Sequence, residues 1–205
     1  SLRDYFNVYA VTAVSKHNIF GTGYETALGC ELAGGNSTGI SGEDNAVQRY
    51  VQCVDNIDMS ETLAVVILNS PAYAGTTYFG YTNQTKVVEF AIAYCPVIYD
   101  LQSESFRQVL VHEAVGHGFA KLEDEYAYQE NGTISSKEIK NVQYLQTLGW
   151  AQNVDFTSDP SQVLWSAFLN DNRYVSEKLG VFEGACTYIK GAYRPSEESM
   201  MNSNT

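Results

Sequence analysis

Two histidines five residues apart constrain this chain more than any other feature. They stand in Val111-His112-Glu113-Ala114-Val115-Gly116-His117, with a glutamate directly after the first, and two of the three histidines in the chain lie here. Ser103 reads as an N-cap, and Glu104 to about Ala120 reads as the helix it starts. In a regular α-helix, residues five apart point about 140° away from each other, against about 40° for residues four apart. Gly116 holds the i+4 position and has no side chain with which to ligate. A single π-type turn absorbs one residue and returns i and i+5 to one face. Glycine is where a backbone distorts at least cost. Either the helix departs from α geometry, or His117 is a partly exposed helix residue; the spacing alone leaves both open.

The rest of the chain reads as strands mixed with helices, an α/β or α+β layer arrangement. Alternation over 4–15 predicts a strand, 16–43 a long Gly-, Asn-, Ser- and Thr-rich loop, and Asp44 to Val54 a helix. The continuous apolar run Thr62–Asn69 predicts a strand buried on both faces. Tyr78–Tyr81 reads as a short edge strand, an ordinary one or a site for an extended peptide, and Val87–Tyr94 as another strand. A third helix is expected near Ser136–Leu148, then an irregular tail. His17 reads as a surface or satisfied histidine.

The 205 residues carry a net charge of −12, which argues against nucleic acid as a partner. The longest aliphatic run, Leu63 to Leu68, falls far short of the ~20 apolar residues that span a bilayer. Cys30, Cys53, Cys95 and Cys186 are scattered, with no Cys-x-x-Cys pair. They fit up to two disulfides in any of three connectivities, or free buried thiols. Sequons at Asn36, Asn83 and Asn131 add little.

Downstream of the histidines, Glu123, Asp124 and Glu125 form three consecutive acids. Such a run is ordinarily solvated, but here one carboxylate is placed to be a third ligand. A catalytic zinc site takes three protein ligands and keeps one position open. A second acid can orient a ligand histidine from outside. In H-E-x-x-H helices the glutamate acts as general base on the metal-activated water. Near the end stand Ser199-Met200-Met201-Asn202. A methionine pair is usually core filler, yet Ser199-x-Met201 also matches the wording of a turn that runs beneath a metal.

The string from His112 through Gly118-Phe119, Lys121-Leu122 and Asp124-Glu125-Tyr126 resembles the IgA-peptidase family of metzincin-like zinc peptidases. Some bacterial members share the expanded histidine spacing. The resemblance extends over nearly the whole chain. It takes in Tyr5-Phe6-Asn7-Val8-Tyr9, Thr26-Ala27-Leu28-Gly29, Val66-Ile67-Leu68-Asn69-Ser70 and Gly191-Ala192-Tyr193-Arg194-Pro195. It implies a zincin/metzincin-like catalytic domain, with a mixed twisted sheet, an active-site helix and a Met-turn. An N-terminal subdomain of about 1–120 would carry sheet and helix, and a C-terminal subdomain of about 121–205 the third ligand and the turn. It further implies Zn2+ held by His112, His117 and Asp124, Glu113 as general base, and Met201 as the turn methionine. Glu123 and Glu125 are rivals for the third ligand.

Two departures stand out: Ala120 where the family often has a turning glycine, and Ser203 where some metzincins carry a transition-state tyrosine. The implied partner is a protein or peptide substrate, and the implied location is secreted, periplasmic or at a bacterial cell surface. The chain is expected to be a catalytic domain of a larger gene product. The rival reading is a catalytically inactive zinc- or calcium-binding module on the same fold.

Overall fold

Six consecutive residues, Phe90 to Cys95, are buried, the pattern of a strand covered on both faces. In the computed structural model, which describes residues 2–18, 23–32, 39–82 and 86–203, this run sits at the centre of a three-stranded sheet. The chain forms two compact units, 1–114 and 115–205.

The first unit opens on a 3-10 turn at Leu2–Tyr5. Its elements are β1 (Glu31–Leu32), β2 (Ile40–Ser41), α1 (Asp44–Val51), β3 (Leu63–Leu68), β4 (Thr76–Thr82), β5 (Lys86–Pro96) and α2 (Glu104–Leu110). Strands β3 and β5 are parallel, with Leu63 opposite Ala91 and Leu68 opposite Pro96. Strand β4 is antiparallel to β5 on the other side, with Thr77 opposite Ala93. The order β3-β5-β4 makes β4 an outer strand, matching the edge expected at Tyr78–Tyr81. One sheet face packs Ala64, Val66, Leu68, Phe90, Ile92 and Tyr94 against Ile40, Val47 and Ala74. The other packs Ala93 and Cys95 under Phe106 and Ala114.

Two expectations are corrected here. Strand β3 is buried on one face only, since Val65 is 39% and Ile67 48% exposed. The residues packed on their side of the sheet gather over Ala93 and Cys95 of β5, so the doubly covered strand is β5. The strand expected over 4–15 is also absent: beyond Tyr5 the segment pairs with no strand among the described residues, and Val8 is 91% exposed. Alternation specifies a strand only where an edge accepts it, because β-propensity largely measures packing against neighbours.

The second unit contains α3 (Ser136–Thr147), α4 (Ser166–Leu169), β6 (Phe182–Ala185) and β7 (Tyr188–Arg194). Ser135 caps α3, its hydroxyl accepting from the Glu138 amide at 3.2 Å. The core joins Ile134, Val142, Ala151, Val154, Ala185, Cys186 and Ala192. The antiparallel β6–β7 hairpin replaces part of the expected irregular tail. Its turn residues Cys186 and Thr187 have φ of 53° and 68°. That left-handed pair is the signature of a tight hairpin turn, ordinarily made with Asn-Gly or Asp-Gly. Here the segment before it holds the strain: the Cys186 amide donates to Asp124 O at 2.8 Å and the Thr187 amide to Tyr126 O at 3.0 Å. The Asn131 side chain donates to Thr187 as well, through O and Oγ1. The sequons at Asn36 and Asn83 lie outside the described residues.

Candidate metal centre

Ser103 starts the helix as expected, accepting from the Phe106 amide at 3.1 Å. At Val111 the helix changes class, and Val111–Phe119 is a π-helix. Its i→i+5 hydrogen bonding carries residues five apart round to one side, the geometry that the His112–His117 spacing requires. The Ala120 amide closes it on Val115 O at 2.9 Å.

Gly116 has a different reason for being glycine than backbone freedom. Its φ is not positive; instead, a Cβ there would lie 2.1 Å from Met201 Sδ. Met201, only 1% exposed, fills the space beneath this residue. It sits in a turn where the Asn202 and Ser203 amides donate to Ser199 O.

Beyond the helix the chain turns at Lys121, which takes φ 56°. The left-handed residue is thus one position after Ala120, the site where a glycine was expected. Lys121 is held by bonds from its amide to His117 O and from the Ala151 amide to its own carbonyl. Its ammonium donates to Gly118 O and lies 5.7 Å from the Trp150 ring centre.

The three acids separate by environment. Glu125, 3% exposed, accepts from Asn153 Nδ2 at 2.9 Å and from Ser199 Oγ at 2.6 Å, and its amide donates to Met201 O. Burial pushes its carboxyl up, and those two donors partly offset the shift. Glu123 folds back on the chain, accepting from the Asp124 amide at 3.2 Å, and burial followed by the Asp124 charge pushes its carboxyl up. Asp124 alone joins His112 and His117. Each of the three offers one ligand atom, and those atoms all lie within 4.8 Å of one another. Burial raises the Tyr126 phenol strongly, with the Asp124 charge and a hydrogen bond to Asp124 adding to it.

These donors fit a cation. His117 Nδ1 lies 2.8 Å from Leu122 O. A carbonyl only accepts, so Nδ1 carries the hydrogen and the neutral ring leaves a lone pair on Nε2. That lone pair faces Asp124 Oδ1 at 3.1 Å. Two acceptors so placed need a proton or a cation between them. Ligand atoms around a tetrahedral zinc, at about 2.0–2.1 Å from it, stand roughly 3.3 Å apart. Two imidazoles and one carboxylate suit zinc far better than calcium, which takes six or more oxygens.

Glu113 is buried, and the Thr77 hydroxyl lies 2.8 Å from its Oε2 and 2.9 Å from its carbonyl oxygen. His17 is remote in role: its Nδ1 accepts from the Glu25 amide at 2.9 Å and its ring packs edge-on to Tyr24. The sequence reading missed Thr77, Asn153 and the Leu122 carbonyl. Only Leu122 was within reach of a local signal, since it follows the histidine inside the motif.

Residues 1–177 match the family model for the IgA peptidase M64 family. Comparison with the curated proteins finds no match.

Proposed function

The chain belongs to the IgA peptidase M64 family, and on that premise we propose that it is a zinc-dependent endopeptidase with Glu113 as general base. A protein or peptide is then its substrate. The observation that carries the reading is the meeting of His112, His117 and Asp124 donor atoms within 4.8 Å, with His117 Nε2 turned to Asp124 by the Leu122 carbonyl.

In this reading His112, His117 and Asp124 hold the zinc. When bound, Zn2+ lowers the pKa of water and polarises a carbonyl oxygen. The Glu113 carboxylate takes the proton from the attacking water and returns it to the nitrogen of the departing amine. Its burial strengthens that exchange by keeping bulk water from competing for the proton. Tyr126 and Leu122 fix the orientation of Asp124 and His117, as outer partners of metal ligands do. The turn at Ser199–Met201 serves as the Met-turn. It is supported by the burial of Met201 and by a glycine above it at 116. The domain is read as zincin/metzincin-like on these features together.

Glu113→Ala is expected to retain zinc while losing peptide cleavage by roughly 10²–10⁴-fold, measured on a random peptide library by mass spectrometry. Cleavage equal to wild type would remove Glu113 from the mechanism. Zinc retained with no cleavage by the wild-type protein would favour the inactive binding module.

A further inference from the structure

Thr77 lies 36 residues before Glu113, on an outer strand of the sheet, and nothing in its sequence surroundings marks it. Its hydroxyl nevertheless reaches Glu113. Thr77 Oγ1 sits 2.8 Å from Glu113 Oε2 and 2.9 Å from Glu113 O, so its single hydrogen is shared between the carboxylate and the backbone of the same residue. Two residues earlier, Gly75 leaves the space that the carboxylate fills. A Cβ on Gly75 would lie 2.5 Å from Glu113 Oε1 and 2.7 Å from its Cγ. One oxygen is thus located by a donor and the other by the only side chain small enough to stay out of its way. Thr77 itself is held by the antiparallel pairing of β4 with β5, opposite the fully buried Ala93.

We infer that Thr77 is a positioning residue for Glu113, with Gly75 supplying the cradle in which the carboxylate rests. The inference rests on the peptidase reading for its functional meaning. A glutamate has three rotatable side-chain bonds, and a base must be within hydrogen-bond reach of the proton it takes. A misplacement of about 1 Å at a reacting group costs up to about 10²-fold in rate. The sheet edge supplies that alignment through one hydroxyl.

The test compares Thr77→Val, which keeps the shape and removes the hydroxyl, with Thr77→Ser, which keeps the hydroxyl, and with Gly75→Ala. Cleavage of a peptide taken from the library experiment gives kcat and KM, and zinc content and melting temperature are read beside them. Thr77→Val and Gly75→Ala are expected to lower kcat by roughly 10–100-fold with KM within about twofold. Thr77→Ser is expected to recover to within about threefold of wild type.

A second readout needs no activity. In metal-free protein, the infrared carboxylate band lost in Glu113→Gln identifies Glu113; Thr77→Val should shift that band and Thr77→Ser should not. Wild-type kcat in Thr77→Val, equal loss in Thr77→Ser, or an unmoved band overturns the inference. A shifted band in a protein whose Glu113→Gln variant cleaves as well as wild type removes Glu113 from the mechanism and overturns the positioning role. A shifted band in a wild-type protein that cleaves no peptide overturns the peptidase reading and establishes the contact alone.

Discussion

Ser199 Oγ donates to Glu125 Oε2 at 2.6 Å, across 74 positions of sequence. With the Glu125 amide bonded to Met201 O, it ties the segment carrying Asp124 to the turn carrying Met201. Glu125 was a rival candidate ligand by sequence, and in the structure its carboxylate accepts from Ser199 and Asn153.

Removing the Ser199 hydroxyl leaves a buried carboxylate short of one donor. Ser199→Ala should therefore destabilise metal-free protein by about 1–3 kcal/mol at neutral pH, read as a lower urea midpoint at unchanged slope. The pH dependence has a definite sign. The Glu125 carboxyl is raised by burial, so the folded state holds its proton more tightly than the unfolded state does, and stability falls as pH rises above the ordinary value near 4.5. Losing Ser199 raises the group further, so the gap between variant and wild type should widen from pH 4 to pH 7.5. A gap that narrows over that range would mean that the bond contributes nothing to the ionised form.

Gly116→Ala reverses the ordinary expectation for a helix. Propensity alone favours alanine by about 1 kcal/mol. The new Cβ would meet Met201 Sδ at 2.1 Å, and overpacking of this kind costs about 1–3 kcal/mol. Net destabilisation is expected in thermal or urea unfolding. In a Met201→Ala background most of that cost should vanish, a coupling visible in a double-mutant cycle. Additive effects would place Met201 away from residue 116.

How much of this was legible follows from where each signal resides. Ser103 announces its helix, because a cap is a local hydrogen bond to an amide three residues on. The i+5 histidine spacing raised a single π-type turn as one of two readings; the departure from α geometry instead runs the full length of Val111–Phe119. The different surroundings of Glu123, Asp124 and Glu125 were illegible, since Glu125 is bonded by Asn153 and Ser199, far along the chain. The hairpin at 182–194 was missed because Cys186-Thr187 is not a turn sequence; amides bonded to the Asp124 and Tyr126 carbonyls hold it there. Which apolar strand lies centrally, β3 or β5, was likewise a property of pairing and not of either strand's composition.

The thiols give a check on the chemistry of the core. All four cysteines are free, and only Cys53 is exposed. Burial, with the Asp44 charge adding to it, pushes the Cys30 thiol up to about 12. Cys95 and Cys186 are also pushed up by burial, with nearby acids contributing. One thiol per chain should react rapidly with an aromatic disulfide reagent at pH 8, and Cys53→Ser should abolish that phase. Four should react after unfolding; two or none would mean that disulfides form. The raised thiols hold their protons in the folded state while unfolded thiols ionise, so stability should fall as pH rises above about 9.

Metal content tests the central claim most directly. Wild-type protein dialysed against dilute zinc should hold one zinc per chain, while His112→Ala, His117→Ala and Asp124→Ala, each folded by circular dichroism, should each lose it. Zinc retained at the wild-type level in His117→Ala would contradict the expanded π-helical site, and retention in Asp124→Ala would return the third position to Glu123 or Glu125.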